Sequence, residues 1–262
     1  MLWLPVAGEA PQDGSDAAPQ GVRAIWVPQA DATAPAVLYL HGTFRNVFQN
    51  RPKIAAIHAA GFSVLAVEYR GFGDSSPLLP SEDTVFRDAE AAWKEFARRV
   101  PDPARRAIFG HSMGGAVAVE TALRHRASPP AYGAIVLEST FTSMPAIARD
   151  RYPWAGFVDV LATQRFDSID KLAQLDAPTW LLAGTADHTV SSAHSERLYQ
   201  AAARPCALVM FEGGSHSRLH QEFSAAYRQV WADVAAQMRA RDDQACRRGS
   251  GRTVHVDATG RS

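Results

Sequence analysis

Cysteine is almost absent from this chain, with only Cys206 and Cys246 among 262 residues. Two thiols so far apart, the second in a polar tail, do not make the disulfide framework of a small secreted domain. They read as free thiols, which favours a reducing, cytoplasmic setting. Blocks of like charge are also missing. Acidic and basic residues balance at 27 each, with no run of five or six of one sign, so nucleic acid has no electrostatic footprint to read. No stretch approaches the ~18 consecutive apolar residues of a membrane span. The start, Met1-Leu2-Trp3-Leu4-Pro5-Val6, lacks the basic residues and length of a secretion signal. An integral membrane segment is therefore not expected. No H-E-x-x-H or paired-cysteine spacing is present, and no Gly-Lys-Ser/Thr. Gly71-Phe72-Gly73-Asp74-Ser75 lacks the third glycine of a dinucleotide fingerprint. The expectation is no metal and no cofactor. Nothing in the pattern sets an oligomeric state.

What the chain does have is a hydrophobic content of 47%, enough at this length for one large core. Short apolar runs (residues 22–27, 36–40, 63–67, 107–109, 134–137, 179–183 and 207–211) alternate with segments of helical period (49–60, 82–99, 113–125, 191–203 and 218–239). That alternation predicts an α/β fold, a mostly parallel sheet with helices on both faces. In the segment 82–99, Ser81 stands where a cap belongs, and Val85, Ala89, Ala92, Trp93 and Phe96 form one stripe. Residues 1–20 read as a loose leader, 21–239 as the domain and 240–262 as a disordered tail without apolar periodicity. The connection at about 139–174 is far longer than a normal crossover link, yet it carries Phe141, Met144, Trp154, Phe157 and Phe166. It reads as a small lid insertion, with an ordinary crossover helix plus turns as the competing reading. Phe141, Met144, Trp154 and Phe157, with Phe44, are the candidate walls of an apolar substrate pocket.

Chemistry concentrates where predicted strands end. Gly110-His111-Ser112-Met113-Gly114, followed by Gly115, lies between a strand and an Ala-rich helix. This is the strand-turn-helix setting of a nucleophile elbow, in which glycines permit a sharp turn that leaves the serine hydroxyl exposed. His41-Gly42-Thr43-Phe44 follows the run 36–40. Acyl transfer needs two amide donors aimed at the developing oxyanion, one after the nucleophile and one after an earlier strand, so the Thr43 and Met113 backbone N–H groups are the candidates. The His41 side chain reads as a structural brace. Next come Gly184-Thr185-Ala186-Asp187-His188 and Glu212-Gly213-Gly214-Ser215-His216, each after its own strand. A serine hydroxyl needs a base, and the base needs a carboxylate to fix its tautomer. Ser112, Asp187 and His216 stand in the required order. Alternatives for the base are His188 and His220, and for the acid Asp170 and Asp176. The competing reading of Asp187 is a turn cap before Thr189.

Together, HGT after a strand, YRGFGDS, FGHSMGGAVA, VLESTF, GTADHTV and GGSH resemble the ABHD-type α/β-hydrolases, in particular the branch related to the bud-emergence protein family, over about residues 22–238. The resemblance implies the α/β-hydrolase fold, a serine esterase related to lysophospholipid lipases and protein depalmitoylases, Ser112, Asp187 and His216 as triad, and the Thr43 and Met113 amides as oxyanion hole. Thr43 departs from the asparagine that many relatives carry. The expected activity is hydrolysis of a small-molecule ester or thioester with an apolar acyl or lipid-like part, without cofactor. The competing readings are a serine peptidase or amidase, and a non-catalytic binding protein on the same fold.

Overall fold

The computed structural model describes residues 1–6, 20–127, 131–151, 163–240, 246 and 251–257. Nine strands form one sheet in the order β1-β2-β4-β3-β5-β6-β7-β8-β9. They are β1 (Leu2–Pro5), β2 (Gly21–Val27), β3 (Ala36–Leu40), β4 (Ser63–Glu68), β5 (Arg106–His111), β6 (Ala134–Glu138), β7 (Thr179–Gly184), β8 (Pro205–Phe211) and β9 (Arg252–Val256). β2 runs antiparallel to β1 and β4, and all other pairs are parallel.

The seven runs read from the sequence are all strands, and those from β3 to β8 are apolar and covered on both faces, while β2 is half-buried on one. Alternate residues of β3 show the division. Ala36, Leu38 and Leu40 enter one core cluster, Val37 and Tyr39 the other. Helices α2 (Glu82–Arg99) and α3 (Met113–Arg124) cover the first face. On the second lie α1 (Arg51–Ala59) and, after α4 (Met144–Arg151), α5 (Ile169–Leu172), α6 (Ser192–Ala201) and α7 (Leu219–Glu222), the helix α8 (Ser224–Ala240). α2 begins where its cap places it. The Ser81 hydroxyl accepts the Thr84 N–H, the Thr84 hydroxyl accepts the Ser81 N–H, and Glu82 and Asp83 meet the positive end of the helix dipole.

Both termini differ from the sequence reading. Leu2–Pro5, expected within a loose leader, is an edge strand, with Leu4 buried against the core and residues 2–5 paired to 21–24. Arg252–Val256, expected within a disordered tail, is the opposite edge strand, parallel to β8. Five residues with Thr253, Val254 and Val256 are too short a window to show a period. The strand is held by contacts distant in sequence, as Gly251 shows: a Cβ there would sit 2.3 Å from the Tyr199 hydroxyl. The cysteines are not free. Cys206 on β8 and Cys246 form a disulfide with Cα atoms 4.3 Å apart. The argument for a reducing compartment goes with the thiols. The bridge closes a 40-residue separation, so chain entropy alone makes Cys206→Ser less stable by about 2–4 kcal/mol. Urea denaturation with and without reductant measures it, and reductant leaves the Cys206→Ser midpoint where it is. Among the described residues, no helix is long and apolar enough to cross a membrane.

Chain order and sheet order part company at β3. β4 lies on one side of it and β5 on the other, so a crevice opens at the carboxyl ends of β3 and β5, where ligands of open α/β sheets bind.

Candidate active site

Ser112 sits between β5 and α3 with φ 55° and ψ −124°, a backbone conformation that L-residues rarely adopt. Packing enforces the turn. A Cβ at Gly110 would lie 2.2 Å from the Gly114 carbonyl oxygen, and one at Gly114 would lie 2.1 Å from that of Leu40. From the end of β6, the Glu138 carbonyl accepts the Ser112 N–H at 3.0 Å, and the Thr140 hydroxyl donates to the Ser112 carbonyl at 2.7 Å. Strain of this kind, of order 1–3 kcal/mol, persists only where neighbours over-determine it.

The loop after β3 lies directly on this turn. A Cβ at Gly42 would be 2.9 Å from the Ser112 Cβ, and the Thr43 hydroxyl is 3.3 Å from the Met113 sulfur. Residues 43 and 113 are thus side by side. Met113 opens α3, where first-turn N–H groups have no partner within the helix. His41 is fully buried against Tyr69 and Phe72, with ring centroids 4.5 and 5.2 Å away. Its Nδ1–H donates to the Gly42 carbonyl, and burial pushes its pKa down to about 4. That is the neutral brace the sequence suggested.

His216 and Asp187 meet after β8 and β7. His216 Nδ1–H donates to Asp187 Oδ2 at 2.7 Å, which leaves Nε2 as an acceptor. The other Asp187 oxygen accepts the Thr189 and Val190 N–H groups at 2.8 and 2.9 Å. The turn cap and the histidine partner are therefore one residue doing both. The two loops touch, since the Ala186 N–H donates to the Gly214 carbonyl and a Cβ at Gly184 would strike that oxygen at 2.1 Å. Gly213, at φ +75°, makes the bend, and Glu222 on α7 clasps the Ser215 N–H and hydroxyl. Ser112 and His216 line one small recess with Gly42, Thr43, Phe44, Arg45, His111 and Ser217.

The alternatives sit elsewhere. His188 is exposed, as are Asp170 and Asp176. His220 is buried on α7 beside Tyr227, and burial, with the Lys53 charge, drives it down to about 4. Of the expected pocket residues, Phe44 is 83% exposed at the recess. Phe141, next to the end of β6, is drawn into the core on the α3 face, and Met144 packs against that core, so neither is recess wall. Trp154 and Phe157 lie outside the described residues. The ends of the 139–174 excursion are stitched together by Met144 N–H to Arg165 carbonyl and Ser168 N–H to Thr142 carbonyl bonds, both 2.8 Å.

Sequence reasoning missed the buried polar floor. His111 Nε2–H donates to the His216 carbonyl at 2.8 Å, tying the elbow to the histidine loop. Burial first, then the Lys53 and His216 charges, hold that ring neutral. Lys53 of α1 pairs with Glu138 at the end of β6, whose other oxygen accepts the Tyr227 hydroxyl at 2.8 Å. All three are buried. Behind His41, Glu68 accepts the Val47 N–H, and burial pushes its pKa up to about 7. The folded chain therefore holds the Glu68 proton more tightly than the unfolded chain. Its contribution to stability is full in acid and is lost as pH rises through about 5 to 7. Glu68→Gln removes that slope, which urea denaturation across the range measures.

The serine aminopeptidase S33 family model matches residues 31–164. An uncharacterised protein of Mycobacterium tuberculosis is 36% identical over 83% of this chain and 79% of its own length. The Arabidopsis thaliana α/β hydrolase domain-containing protein WAV2 is 28% identical over 71% and 65%. The chain belongs to this hydrolase family. In structure it matches Est1E of Butyrivibrio proteoclasticus, determined with ferulic acid bound, with a TM-score of 0.68 at 18% identity, over 92% of this chain and 98% of that one. The fold is the α/β-hydrolase fold.

Proposed function

We propose that this chain is a serine esterase or thioesterase working through an acyl-enzyme on Ser112. The observation that carries the reading is the convergence of a strained Ser112 with a His216 already oriented by Asp187 at one sheet edge. In the first step Ser112 Oγ bonds to the substrate carbonyl carbon while His216 Nε2 takes its proton. The oxyanion is met by the Thr43 and Met113 N–H groups, and the carbon–oxygen or carbon–sulfur bond breaks as His216 returns the proton to the leaving group. Water then repeats the sequence on the acyl-enzyme, and the acid departs.

A peptidase reading is favoured by the name of the matching family model. An aminopeptidase must hold its substrate's terminal ammonium, a task for carboxylates. None lines this recess among the described residues, and an arginine does. The test is a panel of neutral short-chain esters, their thioester analogues and an aminoacyl anilide. Turnover of esters or thioesters at rates far above the anilide is expected, and the reverse order overturns the reading.

A further inference from the structure

Arg45 has no role in the chemistry above, yet it lies two residues beyond Thr43 and lines the recess that Ser112 and His216 share. Among the described residues it has no hydrogen-bond or ion-pair partner, and no carboxylate lines the recess with it. The nearby buried carboxylates are engaged: Glu138 with Lys53 and Tyr227, and Asp187 with His216 and two backbone amides. The Arg45 charge is the smallest of the influences that disfavour protonation of His111 beneath the elbow. Among the described residues the rest of the lining carries no negative charge. A half-buried arginine without a counterion, lining the same recess as the nucleophile, lacks a partner that a ligand can supply, and its planar fork matches a carboxylate.

We infer that Arg45 selects esters or thioesters carrying a carboxylate within a few bonds of the scissile carbonyl. The inference rests on the hydrolase reading for its location and names the substrate class of that same site. The exposed Phe44 ring next to it suits a short apolar spacer between the two groups. The carboxylate can lie on the acyl side, as in a hemiester of a short dicarboxylic acid, or on the alcohol side, as in an acylated hydroxy acid. Both present the same anion to the guanidinium, and they reach it from opposite sides of the carbonyl.

The test uses two matched pairs on the full chain: phenyl hemisuccinate against phenyl butyrate for the acyl side, and carboxymethyl butyrate against ethyl butyrate for the alcohol side, each corrected for spontaneous reaction. The expected result is a kcat/KM ratio of anionic to neutral ester above one in at least one pair. That ratio falls about 10- to 100-fold in Arg45→Gln, as expected for loss of a charge-assisted hydrogen bond, with partial rescue in Arg45→Lys. The pair that responds names the side. A ratio unchanged within about twofold by Arg45→Gln in both pairs, within the scatter of ordinary surface substitutions, overturns the inference while the esterase reading stands. If the wild type cleaves none of the four, the esterase reading falls, and binding of monomethyl succinate to Ser112→Ala by calorimetry decides about Arg45. Binding that Arg45→Gln weakens supports the anion site. Binding that it leaves alone, or none in either protein, removes it.

Discussion

Ser112→Ala lowers the turnover of an ester substrate by about 10⁴- to 10⁶-fold, the range seen when a serine hydrolase loses its nucleophile. Of the hydroxyls that line the recess, Ser112 alone stands on the strained turn between β5 and α3. The loss is one of chemistry and not of fold. The hydroxyl contributes no cap bond to α3, and the bonds that the Ser112 backbone makes, its N–H to the Glu138 carbonyl and its carbonyl from the Thr140 hydroxyl, survive the change. Stability by denaturation stays within about 1 kcal/mol of wild type. Asp187→Asn is a harsher test of geometry. It keeps the turn cap through one oxygen but presents an amide to His216 Nδ1, favours the wrong tautomer, and lowers kcat by about 10⁴-fold. Steady-state rates on one neutral ester, beside urea curves for the same preparations, separate the two effects.

The second large effect is on stability. Lys53→Met leaves Glu138 buried with its charge answered by the Tyr227 hydroxyl alone, and breaking a buried pair in this way costs about 3–5 kcal/mol. Burial already holds the Lys53 ammonium below the usual lysine range against the pull of Glu138, so both charges depend on each other. Lys53→Met with Glu138→Leu recovers most of the loss, because an apolar pair of similar volume removes the uncompensated charge. A double-mutant cycle by urea denaturation measures the coupling. A double variant whose loss equals the sum of the two single losses argues that the pair contributes little. The position of the pair gives it a bearing on the site. Glu138 accepts the Ser112 N–H through its backbone, and Lys53 fixes α1 against that strand end.

The elements legible in the sequence were those whose signals are local. Runs apolar on both faces became central strands, Ser81 capped α2, and the glycines around Ser112, Asp187 and His216 marked loops at strand ends. Less legible were features made by residues far apart. β9 depends on β8 and on the Cys206–Cys246 bridge, and neither five residues nor two cysteines reveal that pairing. The region read as one helix over 218–239 divides at Phe223 into α7 and α8: Phe223 leaves the helical range at φ −131° and ψ 47°, and its ring packs on Phe211. Lys53 gave a faint signal. It shares a helix face with Ile57, and Glu138 ends an otherwise apolar strand. A charge on each of two buried faces is a hint of pairing, but only the fold says with what. The same holds for His111, which the motif places as a variable position of the elbow and which the structure ties to the His216 loop.

Covalent labelling tests the central claim most directly. Treat the folded protein with a fluorophosphonate at stoichiometric ratio, digest it, and locate the adduct by peptide mass. One adduct per chain on the Ser112 peptide is predicted, forming far more slowly in His216→Ala and absent in Ser112→Ala, while all three proteins unfold at similar urea concentrations. Ester turnover by a wild-type preparation that carries no adduct on Ser112 after full exposure contradicts the account.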